Sequence, residues 1–159
     1  LRTFQKVKGA PILERETKRI IGTVSDLVLS DEVTKVKGYW VQTRKWWSKK
    51  HYLSLEEITH EDGDGLYVDK GTTLTLMPKK KNKRLIDGNG HLIGKPILEQ
   101  DGTMVGIIED VYFLPDSGMI VGYELTEGLF SDFTKGIRLL KPKLPLIQRE
   151  ESFMVLKES

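Results

Sequence analysis

Residues 9–41 read GAPILERETKRIIGTVSDLVLSDEVTKVKGYWV, and residues 94–125 read GKPILEQDGTMVGIIEDVYFLPDSGMIVGYEL. Pro11-Ile12-Leu13-Glu14 aligns with Pro96-Ile97-Leu98-Glu99 at an offset of 85. After the loss of one residue, Gly22, Asp26, Gly38 and Tyr39 align with Gly106, Asp110, Gly122 and Tyr123 at an offset of 84. A run of four identities followed by four spaced ones, with matching apolar positions between them, marks an internal duplication. Each copy reads as short strands. Ile20 to Val24 and Val105 to Ile108 are β-branched runs, and Asp26 to Leu29 and Val111 to Leu114 continue them. Asp31-Glu32 and Pro115-Asp116-Ser117-Gly118 then mark turns before Val36 to Val41 and Met119 to Leu125. Strands at this spacing suit a small barrel or sandwich rather than β-α-β units.

The duplication sets the expected organisation: all-β, with a first barrel over residues 1–77, a basic and glycine-rich connector over 78–91, and a second barrel over 92–159. Gly22 and Gly106 fall inside β-branched strands, where glycine serves a bulge or a close backbone approach. Gly38 and Gly122 admit the same explanation. No amphipathic helix of ordinary length is expected; Leu53 to Ile58 supplies one turn, with Ser54 as its cap.

These residues carry a resemblance. The phrase Gly-x-Pro-Ile-Leu, a turn, and a glycine-containing β-branched strand running into Gly-x-x-x-Asp-apolar (Gly22 to Leu27, Gly106 to Val111) is similar to the PRC-barrel family. That family includes the cytoplasmic domain of the photosynthetic reaction centre H subunit and the C-terminal domain of the ribosome maturation factor RimM. The resemblance implies two small PRC-barrel-like β-barrels in tandem, as in uncharacterised bacterial members, used for docking and sharing no catalytic residues. The chain lacks a counterpart of the H subunit's transmembrane helix and of the maturation factor's separate N-terminal domain. Neither protein's role is therefore carried over.

Composition removes several chemistries. The sequence has no cysteine, so it makes no disulfide, thiolate nucleophile or zinc–thiolate site. No apolar stretch approaches the roughly 20 residues of a spanning helix. The first residues have no apolar signal-peptide core, and a cytoplasmic location is the expectation. The net charge of +2 hides an asymmetry: residues 1–84 hold 18 Lys/Arg against 11 Asp/Glu, and residues 85–159 hold 7 against 12. Five of the positive charges are Lys79, Lys80, Lys81, Lys83 and Arg84, in the connector.

No recognisable catalytic pattern stands in the sequence. His51, His60 and His91 lack metal-ligand spacing, and His60 beside Glu61 and Asp62 reads as a solvated turn. Glu61 to Gly65 and Asp87 to Gly90 miss the calcium-loop spacing and suit hairpin turns. Gly88-x-Gly90-x-x-x-Gly94 misses the dinucleotide spacing, and no nucleophile elbow surrounds Ser25 or Ser48. The expectation is a non-enzyme without metal or cofactor.

The feature that stands out is Arg44-Lys45-Trp46-Trp47-Ser48-Lys49-Lys50, two tryptophans among cations in the loop after a strand. The second copy places Phe130 and Phe133 after its corresponding strand, beside Asp132. Three readings stay open for these residues. They pack between the barrels, they form a protein-docking surface, or they meet an anionic lipid surface or nucleic acid. The functional expectation is a docking or scaffold protein that binds a protein partner through Arg44, Lys45, Trp46, Trp47, Lys49, Lys50, Phe130 and Phe133. Peripheral binding to anionic lipid or nucleic acid, through the basic loop and connector lysines, is the alternative.

Overall fold

The computed structural model describes residues 1–43, 51–72, 74–76, 83–86, 91–127 and 138–157. In chain order the elements are β1 (Arg2–Thr3), α1 (Phe4–Val7), β2 (Pro11–Glu14), β3 (Ile20–Leu29), β4 (Val36–Gln42) and β5 (His51–Ser54). A 3-10 turn at Leu55–Glu57 leads to β6 (Ile58–Asp62), β7 (Gly65–Val68), β8 (Thr75–Leu76) and β9 (Lys83–Arg84). The second half holds β10 (Pro96–Leu98), β11 (Met104–Phe113), β12 (Ile120–Thr126), β13 (Arg138–Leu140), β14 (Ile147–Gln148) and β15 (Phe153–Met154).

The strands form two sheets, and the duplication is visible in both. The first runs β6-β7-β2-β3-β4-β5, with β8 added beyond β5; the second runs β14-β15-β10-β11-β12-β13. β2 pairs parallel with β7, as β10 does with β15, and the remaining pairs of the two series are antiparallel. Even the irregularities repeat. Register shifts between Ile12 and Leu13 and between Val24 and Asp26 recur between Ile97 and Leu98 and between Ile108 and Asp110. The bulge at Ser25, and its counterpart at Glu109, breaks the two-residue alternation of the long strand. Val24 and Leu27, three residues apart, are thereby both buried, as are Ile108 and Val111.

The all-β expectation holds; the expectation of two closed barrels does not. The first sheet curls into a half-barrel and the second stays open. Strand length explains the difference. In the first unit β6 and β7 run for five and four residues, whereas β14 and β15 have two each. Two-residue strands offer too few ladder hydrogen bonds to carry the sheet round on itself.

Glycine opens the way for close strands where the repeat places it. A Cβ on Gly22 would lie 2.5 Å from Val41 Cγ1 and 2.9 Å from the Gln42 oxygen. At Gly106 the nearest atoms, Leu125 Cβ and the Thr126 oxygen, would be 3.0 and 3.1 Å away. Both positions lie opposite an isoleucine of the neighbouring strand, Ile12 and Ile97, beside a bulge.

The segment leading into each repeat pairs with the other sheet. β1 precedes the first repeat yet pairs with β11 of the second sheet, while β9 precedes the second repeat yet pairs with β3 of the first. The four-residue helix α1, which the sequence reading missed, buries Phe4 and Val7. Leu85 and Leu92, fully buried, follow β9 in the same manner. Gly9 (φ 77°) and Gly94 (φ 84°) then turn the chain back into its own sheet, their N–H groups donating to the oxygens of Val24 and Ile108 at 2.8 Å.

A buried aspartate fixes each crossing. Asp110, 1% exposed, accepts the N–H of Phe4 (2.9 Å) and of Val111 (2.7 Å) on Oδ1 and that of Gln5 (3.0 Å) on Oδ2. Thr3 makes no side-chain cap, so the carboxylate of a distant strand serves the first donors of α1. Asp26, 3% exposed, accepts the N–H of Leu27 (2.7 Å) and of Ile86 (3.1 Å). A buried carboxylate is tolerable only when its lone pairs are occupied in this way.

The sheets also meet at their turns. Lys35 bridges Met119, Val36 N–H donates to the Gly118 oxygen (2.7 Å), and Ile120 N–H donates to the Thr34 oxygen (3.0 Å). Lys35 and Met119 are equivalent at the repeat offset of 84, so the contact is nearly self-complementary, as at a two-fold axis. One apolar core runs through both units, from Ile12, Leu27 and Tyr39 to Ile97, Ile108, Phe113 and Phe153. Each fully buried large side chain contributes roughly 1.5–3 kcal/mol.

Candidate docking surface

The aromatic segments lie on equivalent hairpins. β4 and β5 pair from Gly38–Ser54 to Val41–His51, and β12 and β13 pair from Tyr123–Leu140 to Leu125–Arg138. The connections of these two hairpins contain every residue singled out by the sequence. Arg44, Lys45, Trp46, Trp47, Lys49 and Lys50, and likewise Phe130 and Phe133, lie outside the described residues. At the first hairpin's base, Ser25 Oγ donates to the Trp40 oxygen (3.0 Å), and Tyr52 Oη donates to that of Lys37 (3.0 Å). Partial burial raises the Tyr52 phenol's pKa, so it stays protonated as a donor.

Tyr39 and Tyr123, aligned by the repeat, are both buried, and burial holds their phenols far above the ordinary range. Their surroundings differ. Tyr123 Oη donates to the Val33 oxygen (3.3 Å) across the two units, whereas Glu61 adds to the upward pull on Tyr39 and Arg2 opposes it. Arg2, on the second sheet's added strand, pairs with Glu61 of β6 and so joins the two sheets at the surface.

A surface the sequence reading did not single out lies on the second unit. A groove of about 190 Å³ runs along Met119, Val121, Pro142 and Leu144, and an adjoining one of about 440 Å³ along Leu146, Ile147 and Leu156. Val33, Leu144 and Pro145 line both. Large apolar side chains remain exposed in these grooves, Met119 at 54% and Leu144 at 43%, and Leu139 of β13 is exposed at 51%. Val33 sits at the junction with φ 56°, a conformation costly for a β-branched residue. The Tyr123 hydroxyl holds its carbonyl there. The signal in the sequence was the run RLLKPKLPLIQR over residues 138–149: four cations and no acid in a half that is otherwise acidic.

The equivalent place on the first unit has different chemistry. There the second unit's turn, Pro115 and Asp116, faces Leu55, Glu56, His60 and Glu61 across a cavity of about 330 Å³. His60 lies 3.5 Å from Asp62 and stacks at a tilt on Tyr67. The Asp62 carboxylate accepts the N–H groups of Asp64 (2.8 Å) and Gly65 (3.3 Å), and the first of these chiefly lowers its pKa. That carboxylate holds the β6–β7 turn. Ser54 Oγ accepts the Glu56 N–H at 3.4 Å, so the anticipated capped turn is present as a 3-10 turn. Among the described residues, no group of three His, Asp or Glu side chains is placed to hold a metal ion, and no helix is long and apolar enough to cross a membrane.

The run from β10 to β14, with its bulged long strand β11, is the part of the chain that a family comparison matches. Residues 90–147 match the PRC-barrel domain. The whole chain is also similar to the uncharacterized protein YrrD of Bacillus subtilis (strain 168), with 28% identity over 156 residues, covering 98% of this chain and 87% of that protein. The first unit repeats the strand order of the matched region, which agrees with a tandem arrangement. PRC-barrel domains are generally non-catalytic interaction and assembly modules, and a non-enzymatic role is consistent with the match over residues 90–147.

Proposed function

We propose that this chain is a docking or scaffold protein made of two PRC-barrel-like units, residues 1–77 and 92–159, joined through 78–91, which binds a protein partner through its aromatic hairpin connections. The observation that supports this reading is the equivalence of the two hairpins. In sequence, Trp46 and Trp47, among Arg44, Lys45, Lys49 and Lys50, fall between the paired strands β4 and β5, as Phe130 and Phe133 fall between β12 and β13. Aromatic side chains with arginine are the usual anchors of protein interfaces. A cytoplasmic location belongs to the same proposal.

Affinity capture from native lysate tests it, with the wild-type chain and a Trp46→Ala/Trp47→Ala variant as baits. We expect partners that survive a change from roughly 50 to 200 mM salt and are lost from the variant. If both baits retain the same partners, the aromatic connections are not the docking site. Binding that vanishes over that salt interval identifies an anionic lipid or nucleic acid instead.

A further inference from the structure

The two sheets differ at one equivalent edge. In the first, β8 lies antiparallel on the outer side of β5, with Leu76 opposite His51 and Thr75 opposite Tyr52. Pairing with the preceding strand makes β13 the counterpart of β5. Tyr39 faces Leu53 as Tyr123 faces Leu140, so Leu139 corresponds to Tyr52 and Arg138 to His51. Among the described residues, no strand lies on the outer side of β13. Among the described residues, the two positions that β8 covers in the first unit have no strand beside them in the second, and both Arg138 and Leu139 are exposed.

From this edge we infer that β13 takes an added strand, supplied by an acidic, apolar, extended segment of a protein partner. This inference rests on the docking reading and assigns it a second contact. Three observations agree on the occupant. The molecule's own solution at the equivalent edge is an antiparallel strand from the sequence Leu74-Thr75-Leu76. An uncovered edge presents unpaired N–H and C=O groups, which an extended peptide satisfies and a lipid surface does not. The flanking side chains set the charge: Arg138, Lys141, Lys143 and Arg149 are exposed, and no acidic residue interrupts residues 138–149. Arg138 already pairs with Glu127 at 3.4 Å, an example of the carboxylate contact a partner would extend. Leu139, exposed on β13 itself, supplies an apolar contact at the edge.

The probe is a fluorescent peptide, Glu-Glu-Thr-Leu-Thr-Leu-Glu-Glu, titrated into the full chain, with its scrambled sequence as control. Amide shifts by NMR report where it binds. We expect saturable binding with the largest shifts at Arg138 to Leu140, weakened at least tenfold by Leu139→Glu and several-fold by Lys141→Glu. Lys141 is exposed, so its variant serves if Leu139→Glu does not fold. Equal binding of the scrambled peptide, shifts centred elsewhere, or affinity unchanged in both variants would overturn the inference. So would binding of phosphatidylserine vesicles without binding of the peptide. The Trp46→Ala/Trp47→Ala variant should bind the peptide like wild type. Peptide binding in a variant that has lost its lysate partners therefore separates this edge from the aromatic connections.

Discussion

Replacing Asp110 by alanine is expected to destabilise the protein by about 3–5 kcal/mol. The carboxylate accepts three backbone N–H groups, of Phe4, Gln5 and Val111, in a site almost closed to water. Each buried donor left without a partner costs about 1–3 kcal/mol. The chain could relieve the loss only by releasing β1 and α1, and that withdraws Phe4 and Val7 from the core at roughly 1.5–3 kcal/mol each. Both routes lead to a similar total, which is a large share of the roughly 5–15 kcal/mol that holds a domain folded. Urea denaturation measures it as a fall in midpoint. Trypsin should cut first at Lys6 or Lys8 in the variant if the segment peels away. Asp110→Asn should be milder, because its amide oxygen still accepts while its NH₂ meets a donor. A midpoint within experimental error of wild type for Asp110→Ala would mean that the carboxylate does not hold the crossing.

The second large effect is expected at Gly118, where the two units touch. Its φ of 78° lies in the region that L residues avoid, at about 1–2 kcal/mol. A Cβ there would also overlap the carbonyl oxygen of Val36 and come within 2.9 Å of Leu55 Cδ1. Alanine must therefore push apart the paired turns, threatening the hydrogen bonds of Val36 and Ile120 at about 0.5–1.5 kcal/mol each. The sum is about 2–5 kcal/mol. Gly102 provides the control: its φ is 89°, but nothing lies within 4 Å of its Cβ position. Gly102→Ala should cost only the backbone part. Thermal unfolding of the two variants checks the difference, and equal losses would show that Gly118 is needed for its φ alone.

The duplication was legible because it lies in close-packed strand positions. Pro-Ile-Leu-Glu and the Gly-x-x-x-Asp phrase recur where strands pair, bulge and bury, so sequence and register keep step. Barrel closure was not legible, because it depends on the lengths of β6, β7, β14 and β15, and short strands have weak local signals. The exchange of leading segments was hidden for another reason. Phe4 and Leu85 play the same part, but the chain from each to its return glycine differs in length, and the alignment stops at Gly9 and Gly94. Asp26 and Asp110 were visible as an aligned pair. Their role required the third dimension, since the donors they serve lie 60 and about 106 positions away in sequence. At the docking surface, the tryptophans drew the eye, while the cations around Leu139 and Leu144 were diluted by an acidic half.

These observations amount to one central claim: the two repeats are interlocked by their exchanged leading segments and fold as a single cooperative unit. Native-state hydrogen exchange on the full chain, wild type and Asp110→Ala, tests it most directly. We expect the amides of Ile86 and β3 in the first sheet to open with the same free energy as those of Phe4 and β11 in the second, and to lose protection together in the variant. Wild-type protection retained in the first sheet while the second loses its own would contradict the claim, and would make the repeats two domains that merely touch.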